Sequence, residues 1–363
     1  MDYKLLFEVS VYRKDRISSD KVDKENYIST ENMLPNRGGV EIATTVASAK
    51  MFPAYKKGDI LLSNIRPYFK KIWYADKEGG CSNDVLVVKG NKTVDNKFLY
   101  YVLSDNNFFN YSTVTSKGTK MPRGSKNAIM KYWIPDLDLP TQRKIVDILS
   151  SYDELIKANN ERIELLEQAA QELYKEWFVR FRFPGYENAK FEDGIPEGWE
   201  CCRLGKILSF GAGKTRPKSG ETYPVYGGNG ILDYCNNYNS ENAIIIGRVG
   251  VYCGTVYYEP DKCWISDNAL FAESKNSMHF YNYYLLKNMN LNARQIGTGQ
   301  PLITQGLLNK IRILLPSESL MMKYNQIASE LLKQQDLLRK MNVNIAAQRD
   351  MLLPRLMSGK LEV

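Results

Sequence analysis

The chain has 363 residues, 44% of them hydrophobic and 25% charged, which is typical of a soluble globular protein with two or three domains. No run of about 18 apolar residues occurs, and the N-terminal sequence MDYKLLFEVSVYRKD lacks a secretory pattern, so a membrane span and export are disfavoured. Six cysteines without a C-x-x-C pair and a single histidine, His279, argue against a zinc site and histidine-dependent catalysis, and favour reduced thiols in the cytoplasm.

The predicted strands fall in two segments that repeat each other at a shift of 184 residues. The segment DILLSNIRPYFKKIWYADKEGGCSNDVLVV (59–88) aligns with AIIIGRVGVYCGTVYYEPDKCWISDNALFA (243–272), with apolar runs on apolar runs and turns on turns. Val, Ile and Tyr punctuated by Gly, Asn and Pro predict short strands in both. Each segment is followed by one shorter predicted helix, around 95–110 or 280–290, and then by a proline and a long helix.

The two long helices are predicted from a heptad pattern of apolar residues. The pattern continues for four heptads in the first helix, and a shift of 182 residues carries it, more weakly, into the second. Helices of about 38 residues make a rod of roughly 55 Å. We expect the two helices to pack as a coiled coil; the alternative is that each packs on its own domain. The predicted seam consists of Ile145, Leu149, Tyr152, Ile156, Asn159, Ile163, Leu166 and Leu173 in the first helix, and of Ile327, Leu331, Leu338, Met341, Ile345 and Leu352 in the second.

A glycine-rich stretch, GAGKTRPKSG at 211–220, superficially resembles a nucleotide-binding loop. A Walker A motif would need glycine where Leu208 stands, and Pro217 disfavours the helix that should follow. No Asn/Asp-Pro-Pro-aromatic tetrad for amino-methyl transfer occurs in the chain. The interpretation that remains is an exposed loop that carries basic side chains.

Several stretches in a fixed order resemble the specificity subunit of type I restriction–modification systems. They are the helix IPDLDLPTQRKIVDILSSYDELIKANNERIELLEQAAQELYKEWF (134–178), the domain start GIPEGWECCRLGKIL (194–208), YPVYGGNGI (223–231), ITQGLLNKIRILLP (303–316) and the C-terminal QRDMLLPRLMSGKLEV (348–363). The resemblance covers the whole chain, although the N-terminus lacks a G-x-P-x-G-W pattern like that at 194–199.

The resemblance implies an α/β (α+β) fold with two duplicated target recognition domains of mixed strands and short helices, separated by two long helices that form an antiparallel coiled coil. The expected boundaries are 1–139 for the first recognition domain, 140–183 for the central helix, 184–316 for the second recognition domain and 317–363 for the C-terminal helix. Each domain would read half of a bipartite, asymmetric DNA site, and the coiled coil would set the spacer between the halves.

The resemblance also implies a subunit that is not itself an enzyme and that holds no cofactor. S-adenosylmethionine, ATP and Mg²⁺ would belong to partner subunits. The expected partners are double-stranded DNA, two methyltransferase (modification) subunits and the motor-nuclease (restriction) subunits, in the cytoplasm and without a membrane.

Candidate DNA contacts are basic and amide side chains in the predicted loops, because Arg, Lys, Asn and Gln read base edges and bind phosphates. The net charge of +8 and the 24 tyrosines are compatible with such contacts. The alternative for each residue is an ordinary solvated charge. The candidates are Arg66, Lys70, Lys71, Lys117, Lys120, Arg123 and Lys126 in the first domain, and Lys214, Arg216, Lys218, Asn229, Arg248, Arg294, Thr298 and Gln300 in the second.

Two other functions stay open from the residues alone. Pro260-Asp261 followed by Glu273-Ser274-Lys275 matches a nuclease pattern in which two carboxylates hold Mg²⁺. The internal repeat weakens this hypothesis, because Lys77, Lys89 and Asn91 stand at the matching positions of the first segment. The other alternative is a coiled-coil DNA-binding scaffold without restriction partners.

Overall fold

The computed structural model describes residues 2–296 and 301–357. The chain divides into two compact units, of which unit 1 is Met1–Lys157 with Asn342–Val363 and unit 2 is Ala158–Met341. Each unit therefore contains a strand-rich domain and one half of each long helix. No helix in the described part of the chain is both long enough and apolar enough to cross a membrane.

Unit 1 contains ten short strands and four short helices besides its share of the long helices. Its strands are β1 (Tyr3–Leu5), β2 (Ser10–Tyr12), β3 (Arg16–Ser18), β4 (Tyr27–Ile28), β5 (Met51–Tyr55), β6 (Ile60–Ser63), β7 (Ile72–Tyr74), β8 (Gly79–Cys81), β9 (Val85–Gly90) and β10 (Trp133–Pro135). Its short helices are α1 (Leu6–Val9), α2 (Asn96–Ser104), α3 (Asn106–Val114) and α4 (Lys126–Ile129). The strands form sheets in the orders β2-β9-β6-β7 and β3-β5-β8-β4, with β1 paired to β10.

The first long helix, α5 (Leu139–Phe178), leads from unit 1 into unit 2. The strands of unit 2 are β11 (Phe191–Glu192), β12 (Ile195–Pro196), β13 (Glu200–Arg203), β14 (Leu208–Ala212), β15 (Tyr223–Gly227), β16 (Gly230–Cys235), β17 (Ser240–Gly247), β18 (Val256–Ile265), β19 (Ala269–Ser274) and β20 (Arg312–Leu315). The helices that follow are α6 (His279–Asn288), α7 (Gln305–Lys310) and the second long helix, α8 (Glu318–Met357). Six strands form one sheet in the order β14-β19-β17-β18-β15-β16.

The predicted duplication is present as an identical strand register in the two units. Ile60 pairs with Val88 and Tyr74 in unit 1, and Ile244 pairs with Ala272 and Tyr258 in unit 2, so that all three positions differ by 184. Strand β9 (85–90) coincides with β19 (269–274) at the same shift. Apolar positions therefore face the same side in both sheets, because a slip of one residue would reverse every side chain.

A second equivalence, at a shift of 198 residues, was not predicted. Strand β4 runs parallel to β8, with Ile28 opposite Cys81, and β15 runs parallel to β18, with Tyr226 opposite Ile265. The same shift relates the buried Leu6 of α1 to the buried Leu204. The start of unit 1 therefore corresponds to the region around β13, although it lacks the G-x-P-x-G-W pattern.

Both long helices contribute to the core of each unit. In unit 1, Ile145 and Leu149 of α5 and Leu353 and Leu356 of α8 are buried against Phe98 of α2. In unit 2, an aromatic cluster of Tyr174, Phe178, Tyr281 and Tyr324 joins α5, α6 and α8. Within unit 2 the helices run antiparallel, since Glu167 bonds Gln335 and the carbonyl of Ala170 accepts a bond from Tyr324. A continuous antiparallel coiled coil remains a prediction.

The phase of the seam on α8 corrects the predicted positions. Ile327 and Met341 are 40% and 41% exposed, whereas Ala328, Leu332 and Gln335 are buried. The helices thus correspond at a shift of 183 residues, since Gln142 and Asn325 both bind the start of a domain helix, α2 or α6. Of the other proposed seam positions, Ile145, Leu149, Asn159 and Leu338 are buried, while Tyr152, Ile156, Ile163, Leu166, Leu173, Leu331, Ile345 and Leu352 are half-buried.

Candidate nucleic-acid interface

Two loops of unit 1 that carry predicted DNA contacts lie side by side. Lys117 and Arg123 exchange two main-chain hydrogen bonds of 2.9 and 2.8 Å, which closes residues 117–123 into a tight loop. The amide of Arg66 donates to Pro122 O (2.8 Å), and the amide of Gly124 donates to Asn64 O (2.9 Å). The fold thereby brings together residues that are more than fifty positions apart in the sequence.

Arg66 begins the 3-10 turn Pro67–Phe69 in the left-handed backbone region, with φ of 50°. Lys70, at the end of the turn, has φ of 53°. Non-glycine residues rarely adopt this conformation, and clusters of them mark loops held by their surroundings. The Arg66 guanidinium lies 6.0 Å from the centre of the Phe69 ring, and its Nε is buried without a hydrogen-bond partner among the described residues. The side chain is therefore only partly exposed.

Lys70 and Lys71 are bound within the domain. The Lys70 ammonium donates to Asn106 Oδ1 (2.8 Å), and that of Lys71 donates to Thr30 O (2.7 Å). Burial lowers the pKa of Lys71 from its ordinary value of 10.5. Both lysines thus hold the Pro67–Phe69 turn against neighbouring segments, a role that their position in a basic cluster did not reveal.

The remaining basic residues of unit 1 are exposed. Lys117, Lys120 and Lys126 make no side-chain hydrogen bond or ion pair with any described residue. Arg123 differs from them, because its Nη2 lies 3.2 Å from Asp84 Oδ1 in the turn between β8 and β9. Asp84 was not among the predicted site residues, because nothing in its local sequence indicates a partner 39 positions away.

Arg37 is a second residue of this region that the sequence prediction missed. Its backbone has φ of 62°, and its amide donates to Lys70 O (2.9 Å). Its guanidinium donates to Ser104 O (2.5 Å) and to Asn106 Oδ1 (2.8 Å), and it lies 3.5 Å from Asp350 on α8. Arg37 thus connects the Pro67–Phe69 turn to α2, α3 and α8. The NRGG stretch (36–39) predicts a turn, and gives no sign of these contacts.

In unit 2, the glycine-rich stretch packs against the turn between β18 and β19. The Lys214 amide donates to Ile265 O (3.0 Å). A Cβ atom on Gly213 would lie 2.0 Å from Ser266 O, so that no other residue fits without moving the backbone. Residues 213–220 form neither helix nor strand apart from a single bridge at Lys214. The glycine serves this close approach of two backbones, and the exposed loop agrees with the prediction.

The loop after Lys214 is tied to strand β16. Arg216 forms an ion pair with Asp233, which also accepts a hydrogen bond from Ser219 Oγ (2.7 Å). The Ser219 hydroxyl, the Tyr234 amide and the Arg216 guanidinium together lower the pKa of Asp233. Lys218 stays exposed, and makes no side-chain bond with a described residue. Asp233 is another partner that the sequence prediction did not include.

Asn229 and Arg248 lie in neighbouring turns of unit 2. Asn229 is exposed in the turn between β15 and β16. The Arg248 amide donates to Asn268 O (3.0 Å), its Nη1 donates to Asp267 O (3.4 Å), and its carbonyl accepts from the Ile303 amide (3.0 Å). The loop residues at 213–218, 228–229, 248 and 266–268 are therefore close to one another at one end of the sheet.

Arg294 is exposed at the end of the 3-10 turn Leu291–Arg294, and its Nε donates to Met289 O (3.3 Å). A Cβ on Gly254 would lie 2.6 Å from the Asn292 amide nitrogen, so that this turn packs against the β17–β18 connection. The predicted contacts Thr298 and Gln300 lie outside the described residues.

The carboxylates of the proposed nuclease do not converge. Asp261 on β18 and Glu273 on β19 are separated by β17, two strand spacings or about 9.5 Å. Asp261 binds Lys340, at 3.0 Å, and the Lys275 ammonium binds Gly205 O, at 2.7 Å. Among the described residues, no three His, Cys, Asp or Glu side chains are grouped so that they could hold a metal. The arrangement contradicts a shared Mg²⁺ site.

Two units with the same strand register, each with a cluster of basic loops and joined by long helices, define a duplicated recognition protein. Residues 6–168 and 196–343 match the model of the type I restriction modification DNA specificity domain, and the chain belongs to that family. This confirms the predicted class, a type I specificity subunit, over a stand-alone nuclease. Membership implies DNA binding and assembly with other subunits, and places the chain among the recognition subunits, which are not catalytic.

Relatives in several organisms agree with this assignment. The chain is 25% identical to the type I restriction enzyme MjaIX specificity subunit of Methanocaldococcus jannaschii, over 94% of this chain and 85% of that protein. It is 26% identical to the MjaVIII specificity subunit of the same organism, over 97% and 91%. The fold resembles the crystal structure of a type I restriction–modification S subunit from M. genitalium, with a TM-score of 0.54, 18% identity, and coverage of 98% and 96%.

Proposed function

We propose that each unit reads one half of a bipartite DNA site. The observation that carries this proposal is the identical pairing register of β6, β7 and β9 with β17, β18 and β19, combined with different loop residues. Asn64 in unit 1 stands where Arg248 stands in unit 2, and the amides of both bind the turn before β9 or β19. One scaffold with two sets of loop side chains supports two half-sites of different sequence.

The long helices would set the spacer between the half-sites. Each is 40 residues long, which is about 60 Å at 1.5 Å per residue. Two modules that bind the same face of a duplex must be separated by about one helical turn or a multiple of it. A rigid element longer than one turn of DNA is suited to hold that distance.

The same helices would also bind two methyltransferase subunits through their outward faces. Large apolar side chains that point away from both cores are exposed on them, namely Leu155 and Leu165 on α5 and Leu337, Val343 and Met351 on α8. Exposed apolar residues in number are typical of a protein interface. S-adenosylmethionine, ATP and Mg²⁺ would be bound by the methyltransferase and motor-nuclease subunits, and the motor-nuclease subunits would join this core.

Domain exchange tests the proposal of independent half-sites. Residues 184–316 are replaced with the matching domain of a relative, and the hybrid is expressed with its methyltransferase. Methylome sequencing should show adenine methylation at a site with one new half and one unchanged half. Without the methyltransferase, the purified chain should methylate nothing. A change in both halves, or methyl transfer by the chain alone, would contradict the proposed division of labour.

A further inference from the structure

The basic loop residues of the two units are of two kinds. In each unit one arginine is bound by a carboxylate from another part of the chain, while the neighbouring lysines are not. Arg123 is bound by Asp84, and Arg216 is bound by Asp233. Lys117, Lys120, Lys214 and Lys218 make no ion pair with a described residue.

From this difference we infer that Arg123 and Arg216 read guanine bases, one in each half-site, while the unpaired lysines contact phosphates. The inference rests on the proposed function, because it assigns roles within the same loops. It names Asp84 and Asp233 as positioning residues that neither the sequence pattern nor the family match indicates.

The geometry leaves each guanidinium able to make a two-point contact. A guanidinium carries five N–H donors in a planar fork. The ion pair with Asp84 uses only Nη2 of Arg123, at 3.2 and 3.5 Å from the two carboxylate oxygens, and the pair with Asp233 uses only Nη2 of Arg216. The donors on Nε and Nη1 have no partner among the described residues. Two parallel donors match O6 and N7 of guanine in the major groove.

The carboxylates also make these arginines poor phosphate ligands. A negative charge at 3.2 Å offsets the positive charge that a phosphate would bind, whereas a lysine without a carboxylate keeps its full attraction. A bound guanidinium has lost part of its side-chain freedom before DNA arrives, so less entropy is lost when it contacts a base. Both effects favour a base edge as the target of the paired arginines.

Both arginines lie beside equivalent turns of the duplicated sheets. Asp84 stands in the β8–β9 turn, and Lys214, two residues before Arg216, bonds the equivalent β18–β19 turn through Ile265 and Ser266. The carboxylates are only partly buried, with side-chain exposures of 34% for Asp84 and 32% for Asp233. They are supported on strands and turns while the guanidinium stays open to the groove.

The test is a binding selection with the full chain on random-sequence duplex DNA, followed by affinity measurements over a range of salt concentrations. Asp84→Asn keeps the shape of the side chain and removes the charge. It should reduce discrimination at one guanine of one half-site, by a factor within the range of about 5 to 150 for a bidentate contact. The other half-site and the slope of affinity against salt should not change. Arg123→Gln should abolish preference at the same base pair.

Lys120→Gln is the matched control in the same loop. It should weaken binding to all sequences alike and lower the salt slope by about 0.9, the value for one phosphate contact. Asp233→Asn and Arg216→Gln should repeat the result in the other half-site. The inference is overturned if Arg123→Gln lowers the salt slope without changing base preference, or if Asp84→Asn leaves every base preference intact. A wild-type chain that selects no bipartite site would instead refute the proposed function.

Discussion

His279 is the single histidine of the chain, and its surroundings predict how stability depends on pH. The ring packs edge-on against Tyr258 and Phe280, and Nε2 is buried without a partner among the described residues. Burial lowers its pKa from the ordinary value of 6.5. The unfolded chain therefore binds this proton more tightly than the folded chain, so that the free energy of unfolding falls as pH decreases through about 6.5.

We expect the urea midpoint of the wild-type chain to decrease between about pH 7.5 and about pH 5.5, above the range in which most carboxylates titrate. The variant His279→Phe keeps a ring against Tyr258 and has no proton to bind, so its midpoint should stay nearly constant over the same range. The midpoints are measured by circular dichroism at each pH. An equal decrease in both proteins would show that other groups cause it.

The candidate DNA contacts also illustrate what a residue's sequence neighbours reveal. Basic residues in a Gly- and Asn-rich loop are correctly expected to lie at the surface, since a buried charge without a partner is costly. Lys117, Lys120 and Lys214 are indeed exposed. Lys70 and Lys71 look the same in the sequence, yet their ammonium groups bind Asn106 and Thr30. Which lysines have a partner depends on contacts between distant segments.

On the long helices, the position of a leucine relative to the seam predicts its contribution to stability. Leu149 of α5 is 0% exposed in the core of unit 1, whereas Leu165 of the same helix is 64% exposed. Leu149→Ala should lower the free energy of unfolding by about 2–5 kcal/mol, since it removes buried apolar volume and leaves a cavity. Leu165→Ala should change it by no more than about 0.5 kcal/mol.

Chemical denaturation of the two variants measures this difference, and co-purification with the methyltransferase tests the proposed role of the exposed residue. Leu165→Ala should weaken that association although the chain remains stable. If both variants bind the methyltransferase as the wild type does, the exposed apolar residues on α5 are not its docking surface. If Leu149→Ala unfolds no more easily than Leu165→Ala, the packing described for unit 1 is incorrect.

At the scale of the whole molecule, the length of the helices should determine the DNA spacer. Deletion of one heptad from each helix, 156–162 with 338–344, keeps the seven-residue repeat and shortens each helix by about 10 Å. That length corresponds to about three base pairs of B-DNA, close to a third of a turn. The preferred spacer should become shorter, or binding should be lost, while both half-sites keep their bases.

A binding selection on duplexes with both half-sites and spacers of varied length measures this effect. The control is an alanine variant of exposed residues in the same heptads, such as Glu154→Ala with Val343→Ala, which leaves the helix length unchanged. Full affinity of the deletion variant for the original spacer would mean that the helices do not set the distance.

Some features of this molecule follow from local and periodic properties of its chain. The duplication, the two long helices and the family are readable in the sequence, because hydrophobic periodicity and repeated motifs persist over many residues. The strand register at a shift of 184 follows from the same apolar pattern, since a slip by one residue would expose the core face.

Other features were decided by tertiary packing. The seam of α8 lies one residue away from its predicted phase, because Tyr324 and Ala328 pack into a core that α6 and α5 also form. The equivalence of β4 and β15 was hidden, because their loops differ in sequence and only the pairing with β8 and β18 relates them. The partners of Arg123 and Arg216 come from segments 39 and 17 positions away, and ion pairs over such distances exist only once the chain has folded.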